Sequence, residues 1–531
     1  MATSARIVWW LKKDFRLSDN PALVDAIRLA GVGESGGTVT PLFIFEPSAM
    51  ESPETSAFHV AAVTEAIRGL RKLLRPAGGE VLVARGEVVD VLSSLQSSLP
   101  IDHLVSHEEI GTLRTYDRDR AVRRWCDGHG VPWTEHRQTG VFRRLSDRDA
   151  RSKHWRAFVG QGVLPSPGDD ELKRCKIPKA WSSAVDRPTG HLRLSEFGMS
   201  LDPVQKKHRQ HVDAPEADRE LESFLFRRGL NYAGGISSPN EAFVNGSRMS
   251  VHLAWGTITG REVYTRTQTR MDELKESDDP DAGRWRRSLS SFRSRLNWRD
   301  HFTQRLETEP TMEKYPLNRA YEDLPTTDDP SRLRRLLAAE TGFPLVDACI
   351  ACAWATGFLN FRMRCMITSF ACHALRIDWR ELMWPMARWW ADYEPGIHVA
   401  QLQMQAGVVG INTLRTYNPA KQIADHDADA VFIHRWVPEL RSLSPRQIID
   451  HQEDPHSDYI RPIVDWRAST TQMRAEYYAI RRMERTRELA KEVLDKHGSR
   501  KSPSARKRTG KKRVAKKAGV KKRATKKTVA K

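Results

Sequence analysis

Cysteine is scarce here, with six in 531 residues. That is too few for a disulfide framework and points to a reducing compartment. Long apolar runs are missing too. The opening MATSARIVWWLKKDF lacks the apolar stretch of a signal peptide, and no segment approaches the roughly 18 apolar residues of a membrane span. A soluble cytoplasmic monomer without a membrane partner is expected. No GxGxxG follows the first strand, so the usual dinucleotide fingerprint is absent. Acid is missing from the end of the chain: Gly498 to Lys531 holds 16 Lys or Arg and no Asp or Glu. The net charge is +19, and subtracting those 16 leaves about +3 for residues 1–497. The body is mildly basic and the tail sets the charge.

The length calls for two or three domains. Over residues 1–140, RIVWWL, VTPLFIFEP, EVLVARG, HLVSHE and VPWTEH read as strands. Pro21–Ala30, His59–Arg75, Val88–Gln96 and Arg118–Asp127 read as helices between them. This repeat predicts an α/β N-terminal domain with a parallel, Rossmann-like sheet. Residues 141–215 are polar and Pro-dotted and read as an interdomain connection on the surface. Residues 216–497 carry 3.6-residue periodicity and predict an all-helical C-terminal domain. Residues 498–531 are low-complexity and predict a disordered basic tail.

The densest chemistry lies between Thr341 and Leu440, which hold six of the sixteen tryptophans with many Arg, Asp and Gln. Apolar helix faces broken by fixed charges and large aromatics suit a pocket for a flat, polar-edged cofactor.

Several segments together carry a family resemblance. WLKKDFRLSDNPAL near the start resembles the opening signature of the photolyase/cryptochrome family. TGFPLVDA, IDWR, RTYNP and RWVPEL are similar to its later motifs, in order and spacing over roughly residues 5–470. The resemblance implies an α/β antenna domain, a long linker and a helical domain that binds FAD.

Residue by residue, it implies a phosphate-binding block at Gly246, Ser247, Arg248, Met249 and Ser250. Hydroxyls and free N–H groups at a helix start suit a pyrophosphate, although Ser247 or Ser250 as a plain N-cap fits the same pattern. Tyr232 matches a tyrosine that contacts the flavin nucleotide. Trp298 and Arg299 match a Trp-Arg pair near the cofactor phosphates. Arg364 and Asp392 match a salt bridge beside the isoalloxazine ring, with Tyr393 and Glu394 next to it. His398 falls where many members have Asn facing flavin N5, and its imidazole could accept a proton. A second register, shifted by two residues, puts Gly396 there instead.

The substrate and electron-transfer positions depart from the pattern. The flavin-proximal tryptophan is Leu402 in one register and Ala400 in the other. Trp379 matches the next tryptophan of the usual electron chain, and Trp389 or Trp390 is the expected substitute for the lost first step. The dimer-facing Glu is Arg295, a neighbouring Asn is Phe361, and an Arg after Tyr232 is Ile236. Gln403, Met404 and Gln422 complete the expected DNA-facing set. A (6-4)-type histidine pair is replaced by Asn360 and Cys365. Cys349, Cys352, Cys365 and Cys372 have spacing that would suit zinc or iron–sulfur, but small residues on two helices suit packing, and no metal is expected.

The expected function is FAD-dependent, blue-light-driven DNA repair by electron transfer to a pyrimidine photolesion. The alternatives are a cryptochrome-type photoreceptor and a nucleoid-associated protein. The tail predicts salt-dependent, nonspecific attraction to DNA. A second antenna chromophore, folate or deazaflavin, is left undetermined, with His107-Glu108-Glu109 at a strand end as its expected location.

Overall fold

The computed structural model describes residues 4–31 and 36–498. The tail expected over 498–531 lies, from residue 499 onward, outside the described residues. Five strands, β1 (Arg6–Trp10), β2 (Thr38–Phe45), β3 (Leu82–Arg85), β4 (His103–His107) and β5 (Trp133–His136), form one sheet in the order β3-β2-β1-β4-β5. Every pairing is parallel, with Ile7 opposite Val39 and His103. The two-residue period of β1 splits its side chains between two cores. Ile7 and Trp9 pack with the helices Pro21–Ala30 and Ala57–Leu74. Val8 and Trp10 pack with the helices Val88–Ser98 and Leu113–His129. A strand buried on both faces is what a parallel sheet requires.

The connection at 141–215 differs from the expected surface strap. Trp155, Phe158 and Val159 lie in the core of the helical half. Trp181 is buried in the sheet's second core, where its indole donates to the Leu95 and Leu99 carbonyls. A few large aromatics peg an otherwise polar segment to both domains.

The helical half is built on Ala282–Thr308, a 27-residue helix. Four further helices, Pro344–Thr356, Phe361–His373, Trp379–Trp389 and Pro395–Ala406, share its largest core. Gly396 makes the helix crossing possible, because a Cβ there would stand 2.5 Å from the Thr303 Cα. The TGFPLVDA segment proves to be a fold device. The buried Asp347 carboxylate accepts from the Thr341 and Gly342 amides, the Thr341 hydroxyl and Tyr459 Oη.

The two halves meet through buried polar contacts. Arg261 bonds Asp19, and Arg16 Nη1 donates to the Gly256 carbonyl at 3.0 Å. At Gly256 (φ +67°) a Cβ would sit 1.8 Å from the Lys13 carbonyl oxygen, so only glycine lets the backbones approach this closely. No helix among the described residues is long and apolar enough to cross a membrane.

Candidate functional site

The helix Phe361–His373 projects Arg364 from its first turn, and Asp392 follows the end of the helix Trp379–Trp389. The two side chains join through paired bonds of 3.0 and 3.1 Å, while Arg364 Nε donates to the Leu359 carbonyl at 2.7 Å. The guanidinium also lies 4.2 Å from the Trp390 ring centroid. A two-point Arg–carboxylate contact resting on an indole is a rigid, charge-balanced wall.

Arg248 approaches the same region with a left-handed backbone (φ +60°). Its guanidinium stacks on Phe358 at 4.0 Å. The residue is half-buried overall, but Nη1 is fully enclosed and has no hydrogen-bond partner. Burial pulls its pKa down to about 10, with Glu220 and Asp392 opposing. A strained, desolvated arginine with a free donor is complementary to an anion. With the ion pair beside it, the set fits a ligand carrying a pyrophosphate and a polar-edged ring, as FAD does.

The other expected residues divide by environment. Glu394 bonds Arg299 at 2.9 Å. Arg299, the expected phosphate neighbour, is also held by Asp300 and the Leu253 carbonyl. Two acids already neutralise it. Trp298 is 41% exposed, edge-on to His301 and stacked on Phe302, so it stands at the surface and outside the buried set. Tyr232 is packed between Phe224 and Phe292. Met249 is buried in that same core. Gly246 and Ser247 precede a helix of only six residues that starts at the exposed Ser250.

His398 donates Nε2–H to the Met383 carbonyl at 2.7 Å, and its ring lies edge-on to Tyr393. Burial lowers its pKa to about 4, with the Met383 bond opposing. The imidazole is therefore neutral near pH 7 and a weaker base than an ordinary histidine. Gly396, from the second register, packs against Thr303.

Trp389 and Trp390 meet at 5.9 Å between ring centroids, and Trp390 is the one against the ion pair. Trp379 is buried ten residues before Trp389 on the same helix, about 15 Å along the axis. Leu402 and Ala400 are packed in the helical core.

Of the expected DNA-facing residues, Phe361 is 53% exposed, Arg295 is exposed and Met404 is half-buried. Gln422 is buried with its Oε1 unpartnered. Gln403 is a correction: its amide holds the Leu317 amide and the Met312 and Tyr315 carbonyls, so it braces a loop. Asn360 donates to the Ile236 and Ser237 carbonyls.

Sequence reasoning missed His59. It comes from the sheet domain, stacks on Tyr393 at 5.5 Å and contacts the Trp390 carbonyl at 2.9 Å. From across the domain interface it clamps residues 390–393, while Trp255 holds the Ala391 carbonyl from within the helical half. No local pattern signals a contact made 331 residues away.

At the sheet's carboxyl end, two of the expected antenna residues bond within the protein. His107 bonds Asp14 at 2.7 Å, and Glu109 bonds Arg118 at 2.6 Å. Cys349, Cys352 and Cys365 are buried, and burial pushes the Cys352 thiol up to about 12. Among the described residues, no cluster of three His, Cys, Asp or Glu has metal-holding geometry.

Comparison with known proteins connects the two halves. Residues 7–158 match the family described as DNA photolyase, and residues 292–479 match the FAD binding domain of DNA photolyase. The deoxyribodipyrimidine photo-lyase of Agrobacterium fabrum is 26% identical over 514 residues, covering 90% of this chain and 99% of that protein. The cryptochrome DASH of Natronomonas pharaonis is 25% identical, covering 86% and 98%. Among solved structures, a class III photolyase from Agrobacterium tumefaciens superposes with a TM-score of 0.76 at 24% identity, covering 91% of this chain and 99% of that one. With both domain types in this order, the chain belongs to the photolyase/cryptochrome family and its helical half is an FAD-binding domain.

Proposed function

We propose that this protein is an FAD-dependent, blue-light-driven DNA repair lyase that acts on a pyrimidine photolesion. The observation that carries the reading is the Arg364–Asp392 ion pair seated on Trp390, with the unpartnered Arg248 donor nearby. Bound FAD supplies light absorption and one-electron chemistry. Arg248 provides charge for the phosphates. Arg364 and Asp392 fix a neutral pair at the ring's polar edge, and His59 and Trp255 hold residues 390–393 in place. Trp390, then Trp389, are the indoles nearest that edge and form the proposed donor route. Phe361 and Met404 offer apolar surface to a base taken out of the stack. Arg295 offers charge to the DNA backbone. The basic tail keeps a monomeric, cytoplasmic protein close to DNA.

A cryptochrome-type photoreceptor is the second reading. Exposed Arg295 and Phe361 favour it, because neither can serve as the carboxylate and amide that the family usually sets against a dimer. The test is illumination of the purified protein with DNA carrying cyclobutane dimers or (6-4) products. Lesion loss in light and none in the dark supports the lyase. Intact lesions, together with light-dependent flavin reduction, support the photoreceptor.

A further inference from the structure

A cluster of buried basic side chains lies where the helix Ala282–Thr308 meets the linker and the end of the last helix, Glu484–His497. His301, Arg305 and His497 are all buried. Arg148 Nη2 donates to His301 Nδ1 at 2.6 Å. That bond places the imidazole proton on Nε2, and Nε2 is buried with no acceptor. Arg305 Nε and Nη1 are likewise buried without acceptors. Three donor nitrogens thus stand together with no acceptor among the described residues. An arginine cannot shed its charge to escape this, so the desolvation calls for an anion.

Two nearby acids are committed elsewhere. Asp300 accepts from Trp155 Nε1, the Gly140 amide and Arg299. Glu309 pairs with Lys496 and Thr311. Burial, followed by the charges of Arg305, Arg148, Arg151 and His497, drives the His301 pKa down to about 2.

The geometry points to a binding site for a phosphate-type oxyanion, held by His301 Nε2 and the Arg305 guanidinium with His497 beside them. A tetrahedral oxyanion suits the site because it accepts several hydrogen bonds at once. Its source is either free phosphate or a phosphate of nucleic acid. The site involves none of the residues around Arg364 and Asp392 and stands whether or not the light reaction does.

The test uses the full-length, FAD-loaded protein titrated with inorganic phosphate at about 0.15 M salt, which screens the tail. Calorimetry gives the stoichiometry, and imidazole NMR follows His301. Wild type should bind one phosphate that shifts the His301 resonance. Arg305→Gln should bind it at least about tenfold more weakly, while Arg305→Lys keeps most of the affinity. His301→Phe removes one donor and leaves the arginine, and should weaken binding several-fold even if Arg305→Gln does not fold. Displacement of phosphate by duplex DNA identifies nucleic acid as the source, and retention identifies the free anion. Equal binding by wild type, Arg305→Gln and His301→Phe, or an unmoved His301 signal, overturns the assignment.

Discussion

The carboxyl end of the sheet and the cup in the helical half are both rich in buried charge, but they are balanced differently. At the sheet, Lys12 bonds Asp119, and Arg118 bonds Glu46, Glu109 and Asp119. Arg143 adds contacts to Asp119 and Glu135. These cations are matched by acids of the same chain. In the helical half, Arg248 and Arg305 keep buried donors without acceptors. A neutralised network holds elements together, whereas an unmatched cation leaves a place for a ligand. The ion pairs at the sheet's carboxyl end brace that domain, whereas no carboxylate bonds Arg248 or Arg305 among the described residues.

The largest expected effect breaks the balanced side. Arg118→Ala takes the bonded cation from Glu46 and Glu109 and should cost about 3 kcal/mol or more, read as a fall in Tm. The surviving folded protein should keep its flavin, because the network does not touch the cup.

Arg248→Gln tests the unbalanced side. It should weaken FAD binding by about 1.5–3 kcal/mol, the worth of a charged hydrogen bond, measured by flavin release on dilution. Without FAD the variant should be as stable as wild type or more so, since a desolvated charge is gone.

Acid separates the regions next. The His398 pKa in the folded chain, about 4, lies below the ordinary value of 6.5, so the unfolded chain binds its proton first. Stability from this group is complete above pH 6.5 and falls as pH drops toward 4, by about 3 kcal/mol at most. His398→Gln should flatten that part of a denaturation–pH curve. Arg118 holds the Glu109 carboxylate well below its ordinary range despite burial, so its contribution is present above about pH 4.5 and is lost in stronger acid.

The smallest effect concerns the donor route. Trp390→Phe should slow blue-light reduction of bound flavin more than Trp379→Phe, with FAD content unchanged. Equal rates would remove the proposed route.

Local signals explain what the sequence made legible. The helix Pro21–Ala30 begins and ends where expected because Asn20 caps it, Pro21 starts it and Gly31 closes it. The helix expected from Arg118 begins at Leu113, since the charged RTYDRDR turn hides its apolar period. The linker's depth was hidden because two tryptophans, Trp155 and Trp181, carry it against a polar composition. In the cup, the Arg364–Asp392 pairing follows from motif order. The clamp by His59, the prior claim on Arg299 and the acceptor-free Arg305 depend on long-range packing that no window of sequence contains.

The most direct test of the account is the flavin content of Asp392→Asn purified beside wild type. Removing one partner of this ion pair leaves Arg364 uncompensated against Trp390. The account predicts roughly one FAD per wild-type chain and little or none in a folded variant. A folded Asp392→Asn protein that retains FAD at the wild-type ratio would contradict it.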